Sequence, residues 1–509
     1  MKRSAGILLP VTALPSRYGI GCFDAAAYAF VDFLKAAGQT YWQILPLGQT
    51  GYGDSPYQSV SAFAGNPYLI DLNALVREGL LTEAECIAAS GADTEEVAYS
   101  ALYANRLTLL KTAFLRSNMT ENPEFTEFCQ SQDWLEDYAL FMALKAEAGG
   151  RSWEHWAQEV RMREKVALSE CRRRLAQEIT FYKYLQFLFY RQWHSLKAYA
   201  NANGIRIIGD IPIYAAYDSA DVWAHPELFQ LDDSGLPKAV AGCPPDGFAA
   251  DGQLWGNPLY DWAYHRKTGY AWWIARLSAS CALCDVVRID HFRGFDAYYS
   301  IPYGEKTAKN GHWEDGPGLE LFEAARQAIG DYAVIAEDLG FMTARVERLV
   351  RDCGFPNMKV LEFAFDSRDT GNRNAYLPHN YGENCVAYTG THDNQPIVPW
   401  FCSLDRGVQQ QVRAYLCDRF TPDECIHKPL IALLMRSPAR LCIIPMQDWL
   451  GMDDTSRINT PATLGGNWKW RLHEAMLSPS LQQEIRSMTE RYGRTGEKEE
   501  QHENISIHD

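Results

Sequence analysis

Val286-Val287-Arg288-Ile289-Asp290-His291 is a short apolar run that breaks into charge at its C-terminal end. Its β-branched residues suit a strand, and on a strand Arg288 and Asp290, two apart, share one face. Seven further runs of this kind surround it, at residues 6–9, 41–47, 206–211, 333–337, 358–363, 385–389 and 441–446. Near-continuous hydrophobicity of this sort marks parallel strands buried on both faces. Helix-like segments separate most of them. Residues 24–37 are apolar at helical spacing and stop at Gly38, and 179–202 are amphipathic and end before Gly204. Residues 318–329 precede the fifth strand and 342–351 follow it. Eight strands alternating with helices predict an α/β fold, a (β/α)8 TIM barrel. A doubly wound open sheet is the alternative, and no glycine-rich phosphate loop supports it.

One stretch exceeds a minimal barrel. Residues 72–177 carry helix-like, charged segments at 78–86, 101–114, 122–128 and 134–149. They predict a large helical subdomain inserted after the second strand. The catalytic barrel is thus expected over residues 1–495, interrupted by 72–177 and carrying several loop subdomains. Residues 496–509 are polar and charged and predict a disordered tail.

The chain has 509 residues and a net charge of −16. An acidic chain without basic runs is a poor nucleic-acid binder and a poor match for anionic membranes, whereas a neutral substrate is tolerated. No stretch approaches the length of a membrane span. The apolar residues after Met1-Lys2-Arg3 are too few, and too soon broken by Pro10 and Pro15, for a signal peptide. The 13 cysteines are scattered, and Cys281 and Cys284 form one C-x-x-C without the second pair that a zinc site needs. Reduced, mostly buried thiols in a cytoplasmic protein are the expectation.

In a barrel of this kind catalytic groups sit at the C-terminal ends of strands. The third run ends on Asp210, the fourth on Asp290, the fifth on Glu337-Asp338, and the seventh leads into Thr391-His392-Asp393-Asn394. A lone strand-end carboxylate is more often a helix cap or a salt-bridge partner. Several around one mouth are costly to hold together unless they are used. Arg288 beside Asp290 is expected to keep that carboxylate ionised, as a nucleophile requires. Glu337, near that negative charge and partly desolvated, is expected to hold a proton, as an acid catalyst requires. Tyr52, Tyr57, Phe248, Trp255, Trp400, Trp468 and Trp470 fall in the expected loops of the same side, where aromatic faces stack on sugar rings.

At these residues the chain resembles the 4-α-glucanotransferases, also called amylomaltases or disproportionating enzymes, which are transferase relatives of the α-amylases. The resemblance spans nearly the whole length. It is carried in order by Tyr41-Trp42-Gln43-Ile44-Leu45-Pro46-Leu47-Gly48, Gly51-Tyr52-Gly53-Asp54-Ser55-Pro56-Tyr57 and Gly209-Asp210-Ile211-Pro212-Ile213-Tyr214. It continues through Gly252-Gln253-Leu254-Trp255-Gly256-Asn257-Pro258, Arg288-Ile289-Asp290-His291-Phe292-Arg293-Gly294 and Ala336-Glu337-Asp338-Leu339-Gly340. It closes on Thr391-His392-Asp393-Asn394 and Arg457-Ile458-Asn459-Thr460-Pro461.

The resemblance implies Asp290 as nucleophile, Glu337 as general acid/base and Asp393 as a third carboxylate gripping sugar hydroxyls. Arg288 and His392 become their support. Tyr57, Ser55, Asp338, Trp255 and Asn459 become substrate-binding positions, and Asp210 is placed with them. Residues 244–248 resemble the family's mobile loop, with Gly247 in place of a bulkier, stacking residue. The implied reaction is retaining, with two carboxyl groups about 5 Å apart, and uses no metal or organic cofactor. The implied partners are malto-oligosaccharides and starch or glycogen-type glucans, with glucose as an acceptor. A hydrolase or debranching enzyme would carry the same carboxylates. An inert glucan-binding scaffold would be expected to have lost them.

Overall fold

The computed structural model describes residues 2–90, 95–245, 250–340, 342–365 and 371–496. Its strands are β1 (Ser4–Leu8), β2 (Tyr41–Gln43), β3 (Arg206–Ile211), β4 (Ala239–Cys243), β5 (Gln253–Pro258), β6 (Val286–Ile289), β7 (Ala297–Pro302), β8 (His312–Asp315), β9 (Val334–Ala336), β10 (Asn357–Val360), β11 (Cys385–Tyr388) and β12 (Leu441–Pro445). Eight of them close into a parallel barrel in the order β1-β12-β11-β10-β9-β6-β3-β2. These eight are the eight apolar runs of the sequence.

The period-two alternation of each strand sorts its residues between two cores. Leu8, Tyr41, Ile208, Val286, Ile335, Met358, Val386 and Leu441 cluster inside the barrel. Ile7, Ile207, Val287, Ala387 and Ile444 belong to the larger core that packs the strands against the helices. Space between the layers is tight: a Cβ on Gly209 would sit 2.2 Å from the Cys284 sulfur at the end of the neighbouring helix.

The expected helices appear as Ala25–Ala36, Ala176–Ala202, Leu319–Ile329 and Ala344–Cys353. Asp24 caps the first by accepting from the Ala26 N–H. Between β2 and β3 the chain forms the helices Leu72–Arg77, Glu83–Ser90, Tyr99–Arg116, Pro123–Ser131, Leu135–Glu147, Gln158–Arg161 and Lys165–Arg174 before the long Ala176–Ala202 helix returns to the barrel. No described helix is long and apolar enough to cross a membrane. Of residues 496–509, all but residue 496 lie outside the described residues.

The sequence reading missed one element. Strands β5, β4, β7 and β8 form an antiparallel sheet in that order, where only loops were expected. β8 is largely exposed and β5 partly so, and both lack the apolar runs of the barrel, so periodicity alone does not reveal them. This sheet sits in the connections after β3 and β6, and it presents Gln253–Pro258 to the barrel mouth.

Candidate active site

The inward positions of the barrel change character toward the C-terminal end. One pleat above Ile208 lies Asp210, and above Val286 lie Arg288 and then Asp290. The β3–β6 register sets Asp210 beside Arg288. Arg288 Nη1 donates to both Asp210 oxygens, at 2.7 and 2.6 Å, and Nη2 donates to Asp290 Oδ1 at 2.9 Å. The Arg288 and Asp210 side chains are sealed at 3% and 0% exposure, whereas that of Asp290 keeps 30% open to the cleft.

Glu337 follows β9, and the pairing of Ile289 with Ala336 makes it the neighbour of Asp290. His291 adopts a left-handed backbone, φ 51°, and its N–H donates to Glu337 Oε2 at 2.7 Å. The Leu339 N–H donates to the other oxygen at 2.9 Å. Both bonds favour the ionised form. Burial and then the Asp290 charge outweigh them, so the Glu337 carboxyl is pushed well up.

Burial also pushes Asp290 up, against the lowering effect of Arg288. This differs from the sequence expectation. The guanidinium is shared with Asp210, and one positive charge must serve two carboxylates in a dry site. Asp290 and Glu337 therefore titrate as a coupled pair, with Glu337 the stronger proton holder.

Asp393 lies on the loop after β11. Its Oδ1 accepts from Asn459 Nδ2 at 2.6 Å and lies 3.4 Å from His392 Nε2, and its carbonyl accepts from Arg457 Nη2 at 2.9 Å. His392 Nε2 is also 3.0 Å from the Tyr57 hydroxyl, which donates to Asp210 Oδ2 at 2.7 Å. The Tyr57 oxygen therefore receives the His392 N–H. Tyr57 stacks on His392 with 5.3 Å between ring centres. Burial and then the Asp210 charge push the Tyr57 phenol well up, so it stays a donor. A continuous polar chain thus runs from Asp393 through His392, Tyr57, Asp210 and Arg288 to Asp290.

A cleft with about 1180 Å³ of open space is lined by Ser55, Tyr57, Trp255, Asp290, His392, Asp393 and Asn459. Glu337, next to Asp290 at the end of the neighbouring strand, is 8% exposed. Two of the expected sugar contacts do not line the cleft. Asp210 has no exposed side-chain surface, because Arg288 and Tyr57 cover its oxygens, and it anchors those groups. Asp338 is also buried, its oxygens taken by the Met358 N–H at 3.0 Å and Asn357 Nδ2 at 3.3 Å, so it ties β9 to β10. Successive residues of an extended chain point opposite ways, which is why Glu337 and Asp338 part here.

Among the aromatics, Trp468 lines the cleft, Trp400 is buried against Phe365 and Trp470 is buried. Residues 246–248 of the expected mobile loop, Phe248 among them, lie outside the described residues. The reading overlooked His291, Gln58 and Tyr214 as lining residues. His291 packs edge-on to Trp255 at 4.8 Å, and burial, then Arg293, push its pKa down to about 3, so the ring is neutral. Its place in the Arg288–Gly294 motif was the one available signal.

Residues 9–478 match the 4-alpha-glucanotransferase family. The chain belongs to that family. It is 49% identical to the 4-alpha-glucanotransferase of Synechocystis sp., over 97% of this chain and 98% of the relative. It is 47% identical to that of Thermus thermophilus, over 96% and 99%. Among solved structures, the amylomaltase from Streptococcus agalactiae in complex with acarbose superposes with a TM-score of 0.93 at 42% identity, covering 97% of this chain and 100% of that one. The glucanotransferase family supplies the activity: this enzyme cleaves α-1,4-glucan links and transfers the glucanosyl unit. The relatives are described as transferases, and none of these three favours the hydrolase or debranching alternative.

Proposed function

We propose that Asp290, Glu337 and Asp393 carry this transfer by a retaining double displacement. Glu337 gives its proton to the glycosidic oxygen as the bond to the anomeric carbon breaks. An Asp290 oxygen bonds that carbon, and the leaving sugar departs with the proton. An acceptor then enters. Glu337, now a base, takes the proton of its 4-hydroxyl, the new glycosidic bond forms, and the ester to Asp290 breaks. Asp393, steadied by Asn459 and His392, grips sugar hydroxyls and favours the distorted ring.

The reading rests on one arrangement: Asp290 and Glu337 follow directly on the paired residues Ile289 and Ala336 of adjacent strands, where burial and the Asp290 charge favour the protonated form of Glu337. Protonation of one acid beside an ionisable partner is the division of labour the first step needs. Trp255, Tyr57, Ser55 and Asn459 are the proposed sugar-binding side chains. The proposed donors are malto-oligosaccharides and starch or glycogen-type glucans, with glucose among the acceptors. The likeness to an acarbose-bound amylomaltase supports the same cleft as the ligand site. Buried free thiols such as Cys86, Cys284, Cys385 and Cys442 support a cytoplasmic setting.

Incubation with maltotriose tests the proposal. Glucose together with longer chains is expected, and a steady gain of reducing ends would refute transfer. Asp290→Asn is expected to lower turnover by at least about ten-thousandfold while oligosaccharide binding persists. Turnover that survives this change removes Asp290 as nucleophile.

A further inference from the structure

Two buried carboxylates have no part in the reaction just described. Glu362 follows β10 and Asp448 follows β12, so they stand on either side of β11. Both reach the loop at the end of β11 that carries His392 and Asp393. Glu362 Oε2 accepts from Asn394 Nδ2 at 2.9 Å. Asn394 Oδ1 in turn accepts from the Thr391 N–H at 2.9 Å and the Thr391 hydroxyl at 2.8 Å. Gly390 permits this closeness, since a Cβ there would lie 2.7 Å from Glu362 Oε1. Asp448 Oδ1 accepts from the Ile397 N–H at 2.7 Å, and its other oxygen takes the Thr389 hydroxyl. The loop is therefore tied at both ends to Asp448 and in its middle to Glu362.

Burying two acids this way is costly. Burial and the Asp448 charge push the Glu362 carboxyl well up, and burial pushes Asp448 up to about 7. An apolar pair would pack the same space at no such cost, but it could not tie a loop through directed hydrogen bonds.

We propose that Glu362 and Asp448 are positioning residues for Asp393, fixing from both neighbouring strands the depth at which its carboxylate enters the cleft. This rests on the reading of Asp393 as a sugar-gripping carboxylate. A displacement of about 1 Å at such a group lowers rates by about a hundredfold.

The test combines kinetics on maltotriose with calorimetric binding of acarbose. Glu362→Ala is expected to lower kcat by about a hundredfold, with KM changed less than about threefold. Asn394→Ala cuts the same tie from its far end and is expected to lose a similar factor. Glu362→Gln keeps an oxygen for Asn394 and is expected to recover kcat to within about fivefold. In an Asp393→Asn background, Glu362→Ala is expected to weaken acarbose by less than about twofold more, because a shared route makes the two losses non-additive. Fully multiplied losses would overturn the proposal, as would a Glu362→Ala protein that melts lower but turns over normally when folded. If Glu362→Ala does not fold, the Asn394→Ala cycle decides by the same criteria. An Asp393→Asn enzyme of undiminished activity would instead bring down the Asp393 assignment, and the positioning claim with it.

Discussion

The interior of the barrel holds two environments on the same strands. Low in the barrel, Ile208, Val286, Ile335, Val386 and Leu441 form a dry apolar cluster. One pleat higher, Asp210, Arg288 and Asp290 form a chain of charges, flanked by the bonded side chains of Gln43 and Tyr388. The lower layer gains free energy from every side chain it removes from water. The upper layer loses free energy on desolvation, and pairing recovers part of that loss. The contacts of the upper layer set its geometry, and the apolar layer beneath it supplies the free energy that offsets their desolvation.

The largest test of that contrast is Arg288→Met. It leaves the buried Asp210 charge with the Tyr57 hydroxyl but no counter-charge, and a loss of about 3–5 kcal/mol in unfolding free energy is expected, together with activity. Denaturant melts measure it. The double variant Arg288→Met, Asp210→Asn is expected to regain most of the stability and none of the turnover. A double variant as unstable as the single one would mean that the buried charge is not the cause. Next in size is Ile208→Ala in the lower layer, expected to cost about 2–5 kcal/mol. Its kcat per folded molecule should stay close to that of the parent, and a large fall in kcat would show that the two layers are not separable.

The smallest effect concerns pH. Asp448, Glu337 and Glu362 are carboxyls raised in the folded state, so the native protein binds protons more tightly than the unfolded chain. Their contribution is fully present below the unfolded values, near pH 4, and is lost as pH rises through the folded ones, which for Asp448 is about 7. The melting temperature is expected to fall between about pH 4 and pH 7, and Asp448→Asn should flatten that slope. A melting curve that rises over this window would contradict the raised values. Activity should peak between the two titrations of the Asp290–Glu337 pair.

The barrel was legible because its strands are buried on both faces and therefore carry unbroken apolar runs. The antiparallel sheet beside it was not legible, since partly exposed strands such as β5 and β8 mix polar and apolar residues in short stretches without the unbroken apolar runs of the barrel. At the site, the strand-end rule singled out Asp290, Glu337 and Asp393 as candidates on chemistry alone. It could not separate Asp210 and Asp338 from them. All five are acidic residues at strand ends or in the loops that follow, and only the fold shows that Asp290 and Asp393 line the cleft while the oxygens of Asp210 and Asp338 are taken by neighbouring groups.

The sequence by itself determined the eight barrel strands, their order along the chain, the family motifs and the identities of the acids, because local pattern and residue type are written in one dimension. The tertiary structure alone decided which acids share a guanidinium, which keep water and which hold a proton. Those outcomes depend on distances and dielectric between residues as far apart as Tyr57, Asp210, Glu337 and His392. No local pattern encodes the exposure of one side chain to another that folding brings beside it.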